Sequence, residues 1–118
     1  MKSFRYFSSR SVSIINHHLL SVILLNEGKP VAYGHLDPED TKVWLGIAVI
    51  EEAVGKGYGR KMMTFLIESA REKNIPVLTL SVDHGNQSAI RLYLNSGFQK
   101  ISETEKFELY EWKNEDRS

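Results

Sequence analysis

The chain has 118 residues, a common size for one domain and too short for two, and its 42% apolar and 25% charged residues exclude a disordered or fibrous chain. Lys plus Arg and Asp plus Glu number 15 each, so no basic excess exists to neutralise a run of phosphates, and nucleic-acid binding is not expected. Cysteine is absent, which removes disulfides, thiolate metal sites and a cysteine nucleophile, and fits a reducing cytoplasm.

Lys2 to Phe7 alternates loosely and predicts a short strand, whereas Arg10 to Leu20 is polar and poorly periodic. The longest nearly uninterrupted apolar stretch, Leu19 to Leu25, is broken by Ser21 and falls far below the roughly 20 residues that span a bilayer. The N-terminus also lacks the apolar core of a signal peptide. A soluble, cytoplasmic protein without membrane contact is the expectation. Ser21 to Asn26 and Val31 to Leu36 read as a hairpin around Glu27-Gly28-Lys29-Pro30. A further turn at Asp37-Pro38-Glu39-Asp40 leads to Lys42 to Val49, whose two faces are both partly apolar, as in a central strand.

Helical periodicity begins at Gly59, with Met63, Leu66, Ile67 and Ala70 on one face. Asn74 ends that helix and Ile75-Pro76 prevents its continuation. Val77 to Val82 follows as a strand with Leu78, Leu80 and Val82 on one face. Strand, helix and strand in this order imply a parallel pair with a right-handed crossover. Asn86 or Ser88 starts a second helix that places Ala89, Leu92 and Tyr93 together, and Gly97 with Phe98 closes it. Lys100 to Ser102 and Phe107 to Trp112 predict a last antiparallel hairpin, with Lys113 to Ser118 as a charged, frayed tail. The expected fold is α+β (α/β) in one domain over 1–118: antiparallel N-terminal strands, a β-α-β-α unit, and a C-terminal hairpin.

Between the central strand and the first helix lies Val54-Gly55-Lys56-Gly57-Tyr58-Gly59-Arg60-Lys61. Glycines at alternate positions remove the Cβ atoms that would hold a phosphate off the backbone, and a helix start offers unpaired N–H groups. A P-loop would need Lys and a hydroxyl residue directly after its last glycine, and here Arg60-Lys61-Met62 follows. The glycine spacing is also one residue short of a dinucleotide fingerprint. A glycine-rich turn without a ligand is the bland alternative.

The second segment, Asn86-Gln87-Ser88-Ala89-Ile90-Arg91-Leu92-Tyr93-Leu94-Asn95-Ser96-Gly97-Phe98, weighs against that alternative. Together the two segments resemble the GNAT superfamily of acetyl-CoA-dependent N-acetyltransferases. The first is similar to its pyrophosphate-binding Gln/Arg-x-x-Gly-x-Gly/Ala motif. The second is similar to Asn-x-x-Ala-x-x-Leu-Tyr-x-x-x-Gly-Phe, matched at Asn86, Ala89, Leu92, Tyr93, Gly97 and Phe98. Val54 departs from the pattern, standing where the family usually has Gln or Arg, so one side-chain contact to pyrophosphate is missing and Lys56, Arg60 and Lys61 supply compensating charge.

The resemblance implies acetyl-CoA as cosubstrate, held by Ile47, Val49, Val54, Gly55, Lys56, Gly57, Tyr58, Gly59, Arg60, Asn86 and Tyr93. It implies a slot where the parallel strands splay, a backbone N–H near Val49 that polarises the thioester, and Tyr93 as acid for the leaving thiolate, although Tyr93 also reads as packed core. Transfer to a primary amine, on a small molecule or a peptide, runs by direct attack; a CoA-binding module without turnover is the alternative. Base candidates are Glu51 and Glu52, Asp83 and His84, and His35, with Glu51 and Asp83 placed first. No metal is expected, since the adjacent His17 and His18 point apart. Six acidic and three basic residues from Glu103 to Ser118 read as a solvated hairpin and tail, not a polyamine site. Only about twenty residues precede the hairpin, where the family places a strand and two helices, so either an open acceptor site or a homodimer that completes it is expected.

Overall fold

The computed structural model describes residues 4–8, 20–39, 41–50 and 55–115. Their strands form one seven-stranded sheet in the order β1-β2-β3-β4-β5-β7-β6. β1 (Phe4–Ser8), β2 (Leu20–Asn26), β3 (Lys29–Glu39) and β4 (Lys42–Val49) pair with one another in chain order, each antiparallel to the next. β2 turns into β3 through Glu27 and Gly28, both at positive φ, in a two-residue loop of the kind that matches strand twist. β4 is the middle strand, as its covered faces predict.

One turn lies elsewhere than the sequence suggests. Asp37, Pro38 and Glu39 continue β3, paired with Trp44, Val43 and Lys42, and the chain reverses only after them. β2 stops at Leu20, opposite Leu36. Beyond that point β3 has a strand neighbour on the β4 side alone among the described residues, so the N–H that Pro38 lacks is not demanded by a second ladder.

α1 (Tyr58–Glu72) buries Met62, Met63, Leu66, Ile67 and Ala70 against one face of the sheet. A Cβ added to Gly34 would lie 2.7 Å from the Met62 sulfur and 2.9 Å from Leu66 Cδ1, which fixes Ala32, Gly34 and Leu36 on the helix side of β3. Through the register, Leu45, Ile47 and Val49 of β4 share that side, and Tyr33, His35, Trp44, Gly46 and Ala48 lie on the other. α1 closes with Ile75 N–H on the Ala70 carbonyl (2.9 Å) and Asn74 at φ 56, the expected stop signal.

β5 (Val77–Asp83) follows α1 and lies parallel to β4. The crossover is the βαβ unit predicted from the pattern. α2 (Gln87–Asn95) starts at Asn86, whose Oδ1 accepts the Ala89 N–H at 3.2 Å, and ends with Phe98 N–H on the Tyr93 carbonyl at 3.0 Å. β6 (Gln99–Glu103) and β7 (Phe107–Lys113) form the last hairpin, with β7 inserted beside β5. The segment after Trp112 does not fray at once. Asn114 is buried, donates from Nδ2 to the Ile75 carbonyl at 3.2 Å and from its backbone to Pro76 at 2.8 Å, because the α1–β5 loop leaves carbonyls there that need donors. Among the described residues no helix is long and apolar enough to cross a membrane.

Candidate functional site

β4 and β5 share a single register pair, Trp44 with Thr79, although they are 8 and 7 residues long. Past that pair the strands diverge. Their separation leaves a slot of about 420 Å³ lined by Ile47 and Val49 of β4, Gly55, Gly57, Tyr58 and Gly59 of the loop and helix start, and Asn86, Ser88, Ala89, Leu92 and Tyr93 around α2. Ladder donors and acceptors of β4 that find no partner on β5 face this gap.

Among the described residues, no side chain obstructs the loop end of the slot at Gly55 and Gly57. Gly55 and Gly57 have φ of 89° and 84°, a conformation that strains any other residue, and a Cβ at either would meet nothing within 4 Å. Gly57 caps α1 without a side-chain hydrogen bond, and the first turn of the helix holds no acidic residue. The leading N–H groups of α1, with the positive end of its dipole, therefore point into the opening. This is an anion cradle. Lys56 and Arg60 are exposed beside it.

Tyr93 stands along the slot from this cradle. It is 9% exposed, its ring centroid lies 6.1 Å from Phe98 and 6.4 Å from Tyr110, and burial raises its phenol above the ordinary value. Tyr93 is thus packed core and slot lining at once. Tyr58, by contrast, is anchored: its side chain is 2% exposed and its hydroxyl accepts from Asn26 Nδ2 at 2.7 Å, so it positions the helix start from below.

Of the cofactor residues expected from sequence, Ile47, Val49, Gly55, Gly57, Tyr58, Gly59, Asn86 and Tyr93 converge on the slot. Arg60 lines instead a groove of about 540 Å³ between the helices, which shares Gly57, Ser88 and Leu92 with the slot and carries Arg71 and Arg91. Val54 and Glu51 lie outside the described residues, as do Glu52, His17 and His18. Asp83 is exposed at the far end of β5 and does not line the slot. Ser88, Ala89 and Leu92 line the slot as well, Ser88 from the first turn after the Asn86 cap and the other two from the Tyr93 face of α2.

His84 is committed elsewhere. Its ring bonds the Thr104 carbonyl at 2.7 Å and Glu108 at 2.9 Å, which raises its pKa, the carbonyl contributing most. Glu108 is held below the ordinary carboxylate value by the Tyr110 hydroxyl at 2.7 Å and then by His84. With Glu103 these groups bring three metal-type ligand atoms within 4.8 Å of one another, with Glu103 paired to Lys100 and His84 bonded to Glu108 and the Thr104 carbonyl.

Residues 2–98 match the model of the acetyltransferase (GNAT) family. The chain is 34% identical over 96 residues to the uncharacterized N-acetyltransferase YycN of Bacillus subtilis (strain 168), with 77% of this chain and 61% of that protein covered. The chain thus spans less than two thirds of the length of that relative. Among solved structures, the IAA acetyltransferase of Bacillus cereus ATCC 14579 superposes with a TM-score of 0.81 at 16% identity, covering 95% of this chain and all of the other (100%). The yncA protein of Salmonella typhimurium, solved with its cofactor acetyl-CoA, gives 0.76 at 18% identity, covering 84% of this chain and 66% of the other. The splayed parallel strands, the glycine cradle and the family match over most of the sequence lead to one statement: the chain belongs to the GNAT acetyltransferase family.

Proposed function

We propose that the protein transfers an acetyl group from acetyl-CoA to a primary amine in the cytoplasm. The observation that carries this reading is the slot itself, a gap in the sheet that ends in a bare backbone cradle at the N-terminus of α1. Pyrophosphate fits the cradle, since its charge meets the open N–H groups and the exposed Lys56 and Arg60. The pantetheine arm then lies along Ile47 and Val49, its amides completing ladder bonds that β5 does not make. Asn86 serves first as the cap of α2 and offers its remaining amide donors to the arm.

When bound, acetyl-CoA supplies the activated acetyl group. The chain supplies a backbone N–H near Val49 toward the thioester oxygen and the Tyr93 phenol as proton donor to the departing sulfur. Burial keeps that phenol protonated at neutral pH, as a donor must be. The amine attacks directly, for no cysteine exists to carry the acetyl group. Glu51, which follows β4, and Asp83, which ends β5, are the carboxylates proposed from sequence to receive the proton of the amine.

The test is thermal unfolding with and without acetyl-CoA. At a hundredfold excess over its dissociation constant the cofactor should stabilise the fold by about 2.7 kcal/mol. Gly57→Glu, which strains the backbone and sets a like charge in the cradle, should fold but lose the shift. No shift in the wild-type protein rejects the reading. A shift without thiol release in any amine screen supports instead the CoA-binding module without turnover, which the Val54 departure favours.

A further inference from the structure

β2 alternates Val22, Leu24 and Asn26 onto the helix side of the sheet, and the first two are core residues, 0% exposed. The pattern calls for a third apolar side chain, yet an amide stands there. Its Oδ1 is buried and has no hydrogen-bond partner among the described residues. Leaving such an acceptor unpaired costs stability. An Asn at the head of a tight turn commonly bonds the turn itself. Here the side chain reaches a residue 32 positions away, and Nδ2 donates to the Tyr58 hydroxyl at 2.7 Å.

Tyr58 is the first residue of α1 and directly follows Gly57, the cap of the cradle. It lines the slot, whereas Asn26 does not. The other end of the cradle loop is tied to the same hairpin. Ile50, the residue after β4, donates its N–H to the Val31 carbonyl of β3 at 3.0 Å. The loop that carries Gly55 and Gly57 is therefore held where it leaves the sheet and where it enters the helix, both times by the closed end of the β2–β3 hairpin. Burial of Met62, Met63 and Leu66 already seats the body of α1 on the sheet. Apolar packing is non-directional, however, and a hydrogen bond fixes distance and angle at one atom. The Asn26–Tyr58 bond acts at the end of the helix where placement matters to a ligand.

We propose that Asn26 is a positioning residue for the cofactor: through Tyr58 it sets where the N-terminus of α1 stands, and with it how well the open N–H groups meet pyrophosphate. The inference rests on the acetyl-CoA reading above and adds to it a residue outside the slot lining. It accounts for an amide on the core stripe of β2 that leaves one acceptor unpaired, since an apolar residue there would suit the stripe and release the helix start. Donors that are already in place bind an anion better than donors that must be ordered to meet it. Stability and affinity therefore move apart at this pair. Removing both polar ends together costs the fold little and the cofactor much.

The experiment is calorimetric titration of the full chain with acetyl-CoA, beside the melting temperature without ligand, for wild type, Asn26→Leu, Tyr58→Phe and the double variant. Tyr58→Phe keeps the buried ring and removes only the hydroxyl, so it reads the bond on an intact core. Each single change should raise the dissociation constant about tenfold, the worth of one well-placed hydrogen bond. The double variant should lose no more than either, because all three break the same bond. It should also melt no lower than wild type, since both polar partners leave together. In thiol release the change should fall on KM for acetyl-CoA and spare kcat at saturation. Wild-type affinity in the double variant, or single effects that add up in it, overturns the proposal while the cofactor reading stands. A double variant that melts far below wild type and binds acetyl-CoA as tightly does the same, for the bond is then structural alone. Absence of binding by the wild-type protein overturns both.

Discussion

Tyr93 is the proton donor proposed for the slot, and its surroundings define a clean substitution. Tyr93→Phe keeps the ring between Phe98 and Tyr110 and deletes only the proton donor. Thiol release should fall by about 10² to 10⁴, while acetyl-CoA still raises the melting temperature; unchanged turnover removes Tyr93 from the mechanism. His84 permits a different prediction. Its pKa is raised in the fold by Thr104 and Glu108, so its stabilising contribution is complete below the unfolded value of about 6.5 and is lost as pH climbs through the raised one. Glu108 has a lowered pKa, so its share is present above its unfolded value and is lost only as pH falls through the folded one. The melting-temperature gap between wild type and His84→Gln should therefore be widest near pH 5.5 and narrow toward pH 8, and a gap that widens with pH contradicts the pairing. Both tyrosine and histidine were visible as candidates in the sequence. That Tyr93 is at once core and lining, and that His84 is tied to Thr104 and Glu108, was not, because those partners lie at sequence separations that no local period reports.

The elements were the most legible part of the chain. Apolar spacing from Met63 to Ala70 matches the buried stripe of α1, and the Asn74, Asn86 and Gly97 signals sit where the helices stop or start. The length of β3 was not legible, since Asp37-Pro38 reads as a turn in sequence, whereas in the fold both residues pair with β4. The close seating of α1 on β3 was equally silent in the sequence. It makes Gly34 a packing position: Met62 and Leu66, both 0% exposed, stand within 3 Å of where a side chain would begin. Gly34→Val should cost about 1–3 kcal/mol, read as a lower urea midpoint with an unchanged slope. An unaltered midpoint would mean that α1 can lift off the strand at little cost.

For the molecule as a whole, the order β1-β2-β3-β4-β5-β7-β6 places the one parallel contact among the described residues at the centre of the sheet. The face of the sheet away from α1 could not be read from sequence because it is assembled from every second residue of β2, β3 and β4, in a register that slips between Leu24 and Leu25. Among the described residues Ile50, Leu94 and Ile101 are the exposed large apolar groups, 43%, 52% and 45% exposed, and sedimentation velocity that gives the monomer mass across a wide concentration range removes the homodimer expected from the sequence.

The lone Trp44–Thr79 pairing has a mechanical consequence. The sheet consists of two ladders, β1 to β4 and β5-β7-β6, that register at this one pair. A cofactor lying in the gap stitches them into a continuous sheet, so the amides of Ile47, Val49 and Ser81 should exchange with deuterium quickly in the free protein. They should become protected together when acetyl-CoA is added. Slow exchange at these amides in the free protein would show that this pair alone already couples the halves. If the stitching holds, the substrate that is consumed in each turnover is also the strand that makes the fold whole.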